Sequence, residues 1–166
     1  MRRAVLVFVG GGSGACLRAL LLAWLTPWGA TLPVPVLIAN VLGAFILGIV
    51  FVLADEAGLL HAETRLFLAV GVLGGFTTFS TLEWGTDLLL MRGAGDAGAA
   101  IVYLVASLLG GVVAVSTGLV AGRELIVAVD GAAERLLGRT RHRPHRAGAA
   151  RPDSGAIEAE NREESA

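Results

Sequence analysis

Residues 74–85 read GGFTTFSTLEWG, placing the hydroxyls of Thr77, Thr78, Ser80 and Thr81 inside a run of otherwise apolar residues. Three further polar side chains stand in similar surroundings: Arg18, Asn40 and Ser107. Hydroxyls, an amide and a guanidinium donate hydrogen bonds, and polar groups kept in hydrocarbon despite their cost mark ion or substrate paths. This is the chemistry of holding or passing a small ion. Bond-making chemistry finds no material: no nucleophile sits beside a base, no metal-ligand cluster occurs, and GGGSG at residues 10–14 suits close packing in a membrane helix rather than a phosphate cradle. An enzyme is therefore not expected.

The elements that must carry these residues follow from composition. Of 166 residues, 55% are hydrophobic, and the mean hydropathy is +0.73; a membrane protein is implied. Four apolar stretches, residues 4–25, 34–54, 66–91 and 98–121, each reach the ~20 residues that a bilayer-crossing helix requires. Short connectors with Pro27 and Pro33, with charges, and with glycine separate them, and Trp24 and Trp28 suit an interfacial aromatic belt. The N-terminus begins like a secretory signal but lacks a small-x-small cleavage site, so a retained helix is expected. The lone Cys16 excludes a disulfide within the chain and reads as a packing residue.

From residue 122 the composition turns polar. RELIVAVDGAAERLLGR suggests a short interfacial helix, and the remainder a disordered tail, so the chain divides into a four-helix transmembrane part, 1–121, and a cytoplasmic tail, 122–166. His142 and His145 lie among arginines and read as part of a basic patch near lipid headgroups rather than as metal ligands. Nothing calls for a nucleic acid partner. Four spans put both termini on one side, which near the membrane carries Arg2, Arg3, Arg65, Arg123, Arg135 and Arg139 against Arg92 opposite. The positive-inside rule then puts the termini in the cytoplasm of a cell (inner) membrane.

With ~1.5 Å of rise per residue, Arg18, Asn40 and Ser107 fall about 4–6 Å outward of their spans' centres, while Thr77 and Thr78 lie near the midplane and Glu83 about 7 Å outward. All four spans thus offer polar atoms at one level, where a hydrophilic path is the reading preferred over interhelical glue. Arg18 and Glu83 are expected to pair. The third span is longer than a perpendicular crossing needs, and Gly74-Gly75-Phe76-Thr77-Thr78 weakens its middle with two glycines and two β-branched residues. A broken third helix is expected there. A break frees carbonyls from the first half and N–H groups from the second, and lipid satisfies neither. Donors at Asn40, Ser80, Thr81 and Arg18 favour an anion as the mobile species, and an edge-on Phe79 ring presents its positive rim to one. Gly10 and Gly14, Gly71 and Gly75, and Gly118 and Gly122 form small-xxx-small faces that predict an oligomer.

GGGSGACLR in the first span, ANVLGAFILG in the second, GVLGGFTTFST in the third and YLVAS in the fourth resemble the Fluc (CrcB) fluoride channels of microbial membranes, over roughly residues 4–121. The resemblance implies a passive fluoride-selective channel that lowers cytoplasmic fluoride, made of two four-helix subunits packed antiparallel. It also implies a structural, untransported Na+ at the dimer centre, held by backbone carbonyls that here belong to Gly74 and Thr77. Asn40, Phe79, Ser80, Thr81 and Arg18 match the family's pore asparagine, first pore phenylalanine, pore-side hydroxyls and vestibule arginine, and Tyr103 and Ser107 its polar positions on the fourth helix. Two departures stand out: Leu82 replaces a second phenylalanine, and Gly85 an acidic residue.

An antiparallel homodimer needs chains that insert both ways, which conflicts with the arginine asymmetry. A partner other than itself, a related paralogous subunit of opposite orientation, is the preferred expectation. Two alternatives remain: a non-conducting or half-pore subunit that needs such a partner, and a small proton-coupled multidrug transporter, which would want a glutamate in the first span where this chain has Arg18.

Overall fold

The computed structural model describes residues 1–26, 33–91 and 97–136. The connector bearing Pro27 and Trp28, Arg92, and the tail with Arg139 and both tail histidines lie outside them. All the regular secondary structure among the described residues is helical, with the α-helices in the order α1 (Arg2–Leu25), α2 (Val34–Phe51), α3 (Ala62–Arg65), α4 (Gly74–Phe76), α5 (Ser80–Met91) and α6 (Ala97–Leu136). Four stretches have the length and hydropathy of membrane spans: Arg2–Leu25, Val34–Glu56, Ala62–Met91 and Ala97–Arg135. The molecule is an all-α, multi-pass membrane protein. Each span buries only a minority of its residues, and Phe8, Leu20, Trp24, Val113 and many other large apolar side chains lie exposed. Such an exterior is stable only against lipid or a partner.

Two segments wind as π-helix, Val52–Glu56 at the end of the second span and Leu66–Leu73 at the start of the third. Composition gave no sign of either. The last helix also departs from expectation: no boundary falls at Gly122, and α6 runs on beyond it. Gly122 instead faces the end of the second span, where an added Cβ would meet Val52 Cβ at 2.9 Å and Ile49 Cα at 3.3 Å. Residues Met1–Asp130 form one compact unit. Within the second unit, Gly131–Ala166, the described residues 131–136 are helical.

The glycine faces expected to join subunits are used inside this one. A Cβ at Gly10 would lie 2.8 Å from the Phe67 carbonyl and 2.9 Å from Gly71 Cα, and side chains at Gly14 and Gly75 would run into the carbonyls of Val72 and Gly11. On the other side, Gly118 abuts the Phe45 carbonyl and Gly48 that of Val115. With little hydrophobic drive between helices in lipid, close backbone contact supplies the attraction. The result holds α1 flush against the third span over the stretch where that span is interrupted.

Candidate ion site at the interrupted third span

Helical winding in the third span stops at Phe76 and resumes at Ser80. Thr77 is extended, with φ −79° and ψ 156°. Its N–H still closes on the Leu73 carbonyl at 3.0 Å, and its hydroxyl donates to the same oxygen at 2.9 Å. Beyond Thr77 the ladder fails. In a continuous helix the Thr78 N–H would bond the Gly74 carbonyl; here it donates to Asn40 Oδ1 at 2.8 Å.

Asn40 completes the exchange. Its Nδ2 donates to the Thr78 carbonyl at 2.9 Å, so one amide side chain satisfies both main-chain groups of the residue that has left the helix. Carboxamide geometry, a donor and an acceptor side by side, mimics the edge of a peptide strand. Asn40 reaches it because Gly43, one turn along α2, leaves room for Thr77 and Phe76; a Cβ there would meet Phe76 Cδ1 at 3.2 Å. Val36, Ala39 and Gly43 are buried on that side of α2.

Thr78 then organises the start of α5. Its hydroxyl oxygen accepts from the Thr81 N–H at 3.2 Å, as an N-cap threonine does. It also contacts Ser80 Oγ at 3.3 Å and Thr81 Oγ1 at 3.0 Å. Three hydroxyl protons serve two contacts, which leaves one proton to offer outward, and the second Asn40 amide proton is likewise not used in the clasp. Sequence reasoning named Ser80 and Thr81 but not Thr78 as a site residue. The available signal was the spacing Thr78-x-x-Thr81 at a helix start.

A groove of about 500 Å³ opens beside this point, its wall including Asn40, Gly74, Thr77, Thr78, Phe79 and Ser107. The Phe79 ring is 63% exposed. Leu82, which also borders the groove, is 4% exposed and packs with Leu89, Ala100 and Tyr103. Tyr103 is equally buried, and its hydroxyl has no hydrogen-bond partner among the described residues. The glycine at 85 has a local cause: a Cβ there would meet Pro33 Cγ at 2.7 Å and Tyr103 Cε1 at 3.5 Å, so an acidic side chain has no room.

Ser107 reaches the groove, and its hydroxyl donates back to the Tyr103 carbonyl at 2.7 Å, the intrahelical solution open to any helical serine. One expectation needs correction. Arg18 does not pair with Glu83, which is exposed on α5; ion pairs join Arg2 with Glu63, Arg65 with Asp55 and Arg123 with Glu56. Arg18 Nη1 instead donates to the Thr77 carbonyl at 3.1 Å. The interruption had freed that carbonyl on the face where α1 packs, and a guanidinium with five donors takes the oxygen nearest to it.

The family model described as CrcB-like protein, Camphor Resistance (CrcB), matches residues 5–119, which contain the glycine contacts, the interruption and the Asn40 clasp. The chain belongs to the CrcB family. This CrcB chain is 48% identical over 109 residues to a protein of Thermus thermophilus named fluoride-specific ion channel FluC, a match covering 65% of this chain and 84% of the relative. A protein of the same name from Chlorobium chlorochromatii is 39% identical over 119 residues, 72% of this chain and 91% of its own length. FluC 2 of Nocardia farcinica is 37% identical over 129 residues, 78% of this chain and 88% of the relative. The names of these CrcB relatives denote ion channels rather than enzymes.

Proposed function

We propose that this chain is a subunit of a passive fluoride-selective channel in the cell membrane. One observation carries the reading: Thr78 has been withdrawn from its helix and held by Asn40, so that a threonine whose hydroxyl would bond back along an intact helix stands at the wall of a groove, in contact with the Ser80 and Thr81 hydroxyls. Fluoride is small and strongly hydrated, so a path must replace its water with donors while keeping each site weak enough to leave. The spare Asn40 amide proton and the hydroxyls of Thr78, Ser80 and Thr81 are such donors. The exposed Phe79 ring presents a positive edge, and Tyr103 brings an unspent hydroxyl from α6. Names given to relatives of this chain support the same ion.

The reading includes a second subunit, antiparallel to this one; the large apolar side chains exposed along the spans, such as Leu108 and Val112 beside the groove, support a partner. A related paralogue of opposite orientation is preferred over a second copy. The arginine asymmetry supports a fixed orientation with cytoplasmic termini, and Leu82 leaves a self-paired channel one aromatic ring short in each pore. Numbered names among relatives, FluC 2 in Nocardia farcinica and FluC 1 in Methanosarcina acetivorans, fit paired subunits.

A structural sodium ion belongs to the same proposal, with the carbonyls of Gly74 and Thr77 as its ligands from this chain. The donor chemistry fits: hard carbonyl oxygens suit a hard cation, the Gly74 carbonyl has lost its helical donor to Asn40, and the Thr77 carbonyl already attracts a cationic group. When bound, the ion would neutralise the carbonyl end of the first half-helix. The chain's own part is to hold those oxygens in place through Asn40 and the Thr77 cap.

Purified protein in liposomes, assayed for fluoride and chloride efflux alone and with a co-expressed related subunit, tests the reading. Fluoride efflux without chloride efflux is expected in the presence of the partner; silence in both preparations overturns the channel reading. The second reading, a half-pore subunit, draws on Leu82 alone. It predicts efflux only with the partner, and restoration by Leu82→Phe in the self-paired protein.

A further inference from the structure

Arg18 is the one basic residue in the interior of the first span, five residues or more from either end of α1. Its guanidinium is spent neither on Glu83 nor on Asp87, both of which are exposed. It bonds the extended Thr77 carbonyl, one of the two oxygens assigned above to sodium. The contact is built rather than incidental. Gly14, one turn before Arg18, is buried with a would-be Cβ 2.8 Å from the Phe76 nitrogen, so α1 is pressed onto the last turn before the interruption. Gly75 is pressed in the same way onto Gly11. A side chain leaving α1 one turn beyond that contact is delivered to Thr77.

We propose that Arg18 is a tethered cation that occupies the carbonyl seat of the interrupted helix in the sodium-free subunit and competes with sodium for it. The inference rests on the sodium reading above and deepens it. The negative end of the first half-helix attracts positive charge, and hydrocarbon offers no water to stand in. A subunit inserted before it meets its partner would otherwise carry that oxygen without a partner. Arg18 satisfies it from within the chain. Sodium on the same oxygen would lie close to the guanidinium, and like charges repel strongly where the dielectric is low. With sodium held there, Arg18 would give up the Thr77 carbonyl, and its donors would be free to face the anion path.

Competition has a measurable signature. The apparent dissociation constant of a ligand rises as the fraction of competent sites falls, so an Arg18-occupied seat weakens sodium binding and removing Arg18 strengthens it. The test is the thermal unfolding midpoint of the purified full-length protein, co-expressed with the related subunit, in detergent, titrated with sodium chloride against choline chloride at constant ionic strength. Arg18→Met should unfold earlier than wild type in choline, with the gap closing as sodium is added. Its half-maximal sodium concentration should be roughly tenfold below that of wild type, the size set by a competent fraction of about a tenth. Arg18→Lys keeps a cation but loses the planar fork and is held more strongly by water; roughly a threefold decrease is expected. It also supplies the test if the methionine variant does not fold.

A half-maximal sodium concentration equal to wild type, in whichever variant folds, overturns the competition while leaving the sodium reading intact. Choline and sodium giving the same midpoint in wild type and in both variants overturns both. Neither outcome depends on fluoride efflux, so failure of the channel reading shows separately.

Discussion

Hydroxyl side chains within continuous helix, and that of Thr77 at the end of the first half-helix, behave differently from those just past the interruption. Ser13, Thr86, Ser107, Ser116 and Thr117, and Thr26 at the end of α1, each donate to the carbonyl four residues earlier, at 2.6–2.9 Å. Their polarity is cancelled within their own helix. At Thr78, Ser80 and Thr81 the preceding carbonyls are out of reach, and the hydroxyls turn to one another and to a main-chain N–H. Side-chain polarity at membrane depth is thus not what makes a site. The loss of helical carbonyls behind the side chains does, because only then does an O–H remain available to an ion.

That contrast is open to direct attack. Asn40→Leu should have the largest effect, since it strips partners from both main-chain groups of Thr78, and each buried group left unsatisfied costs roughly 1–3 kcal/mol. Loss of fluoride efflux together with a lowered unfolding midpoint is expected; a well-folded, fully conducting variant would show that the clasp is dispensable. Gly75→Ala comes next. Its methyl would enter the Gly11 backbone, an overpacking worth about 1–3 kcal/mol, whereas Gly11→Ala, with nothing within 4 Å, should be neutral. Comparing the two unfolding midpoints tests whether α1 must lie flush on the third span.

Thr78→Val keeps the shape and removes the cap, for about 1 kcal/mol. Efflux should fall further than stability alone accounts for, because the Ser80 and Thr81 hydroxyls lose the oxygen that orients them. Ser107→Ala closes the series. Its hydroxyl is already committed to Tyr103, so a stability change within about 0.5 kcal/mol is expected. An efflux loss as large as that of Asn40→Leu would contradict the division drawn between intact and interrupted spans.

Much of this could be read before any coordinates. Hydropathy located four spans to within a few residues at most ends, because lipid imposes a length that composition records directly. Two glycines followed by two threonines coincide with the place where winding stops, since local propensity acts where neighbours do not compensate. What escaped were pairings across the chain. Nothing in the order of residues says that Asn40 will meet Thr78, or that Arg18 will prefer a carbonyl to the carboxylate of Glu83; both depend on which faces α1 and α2 present after packing. The glycine faces were visible as faces, but whether they join helices of one subunit or of two is decided by the interhelical fit. The π-helical turns at 52–56 and 66–73 left no mark in residue type.

The three ion pairs at one end of the molecule bear on how it is made. Arg2 meets Glu63 at 2.9 Å, Arg65 meets Asp55 at 3.0 Å and Arg123 meets Glu56 at 2.7 Å, so the N-terminus, the second connector and α6 are tied at a single margin. Until the ribosome has delivered the segment from Asp55 to Arg65, Arg2 has no counterpart to hold it. Afterwards, inverting the finished subunit would drag all of these charges through oil. Each finished subunit would therefore keep whichever orientation its insertion gave it.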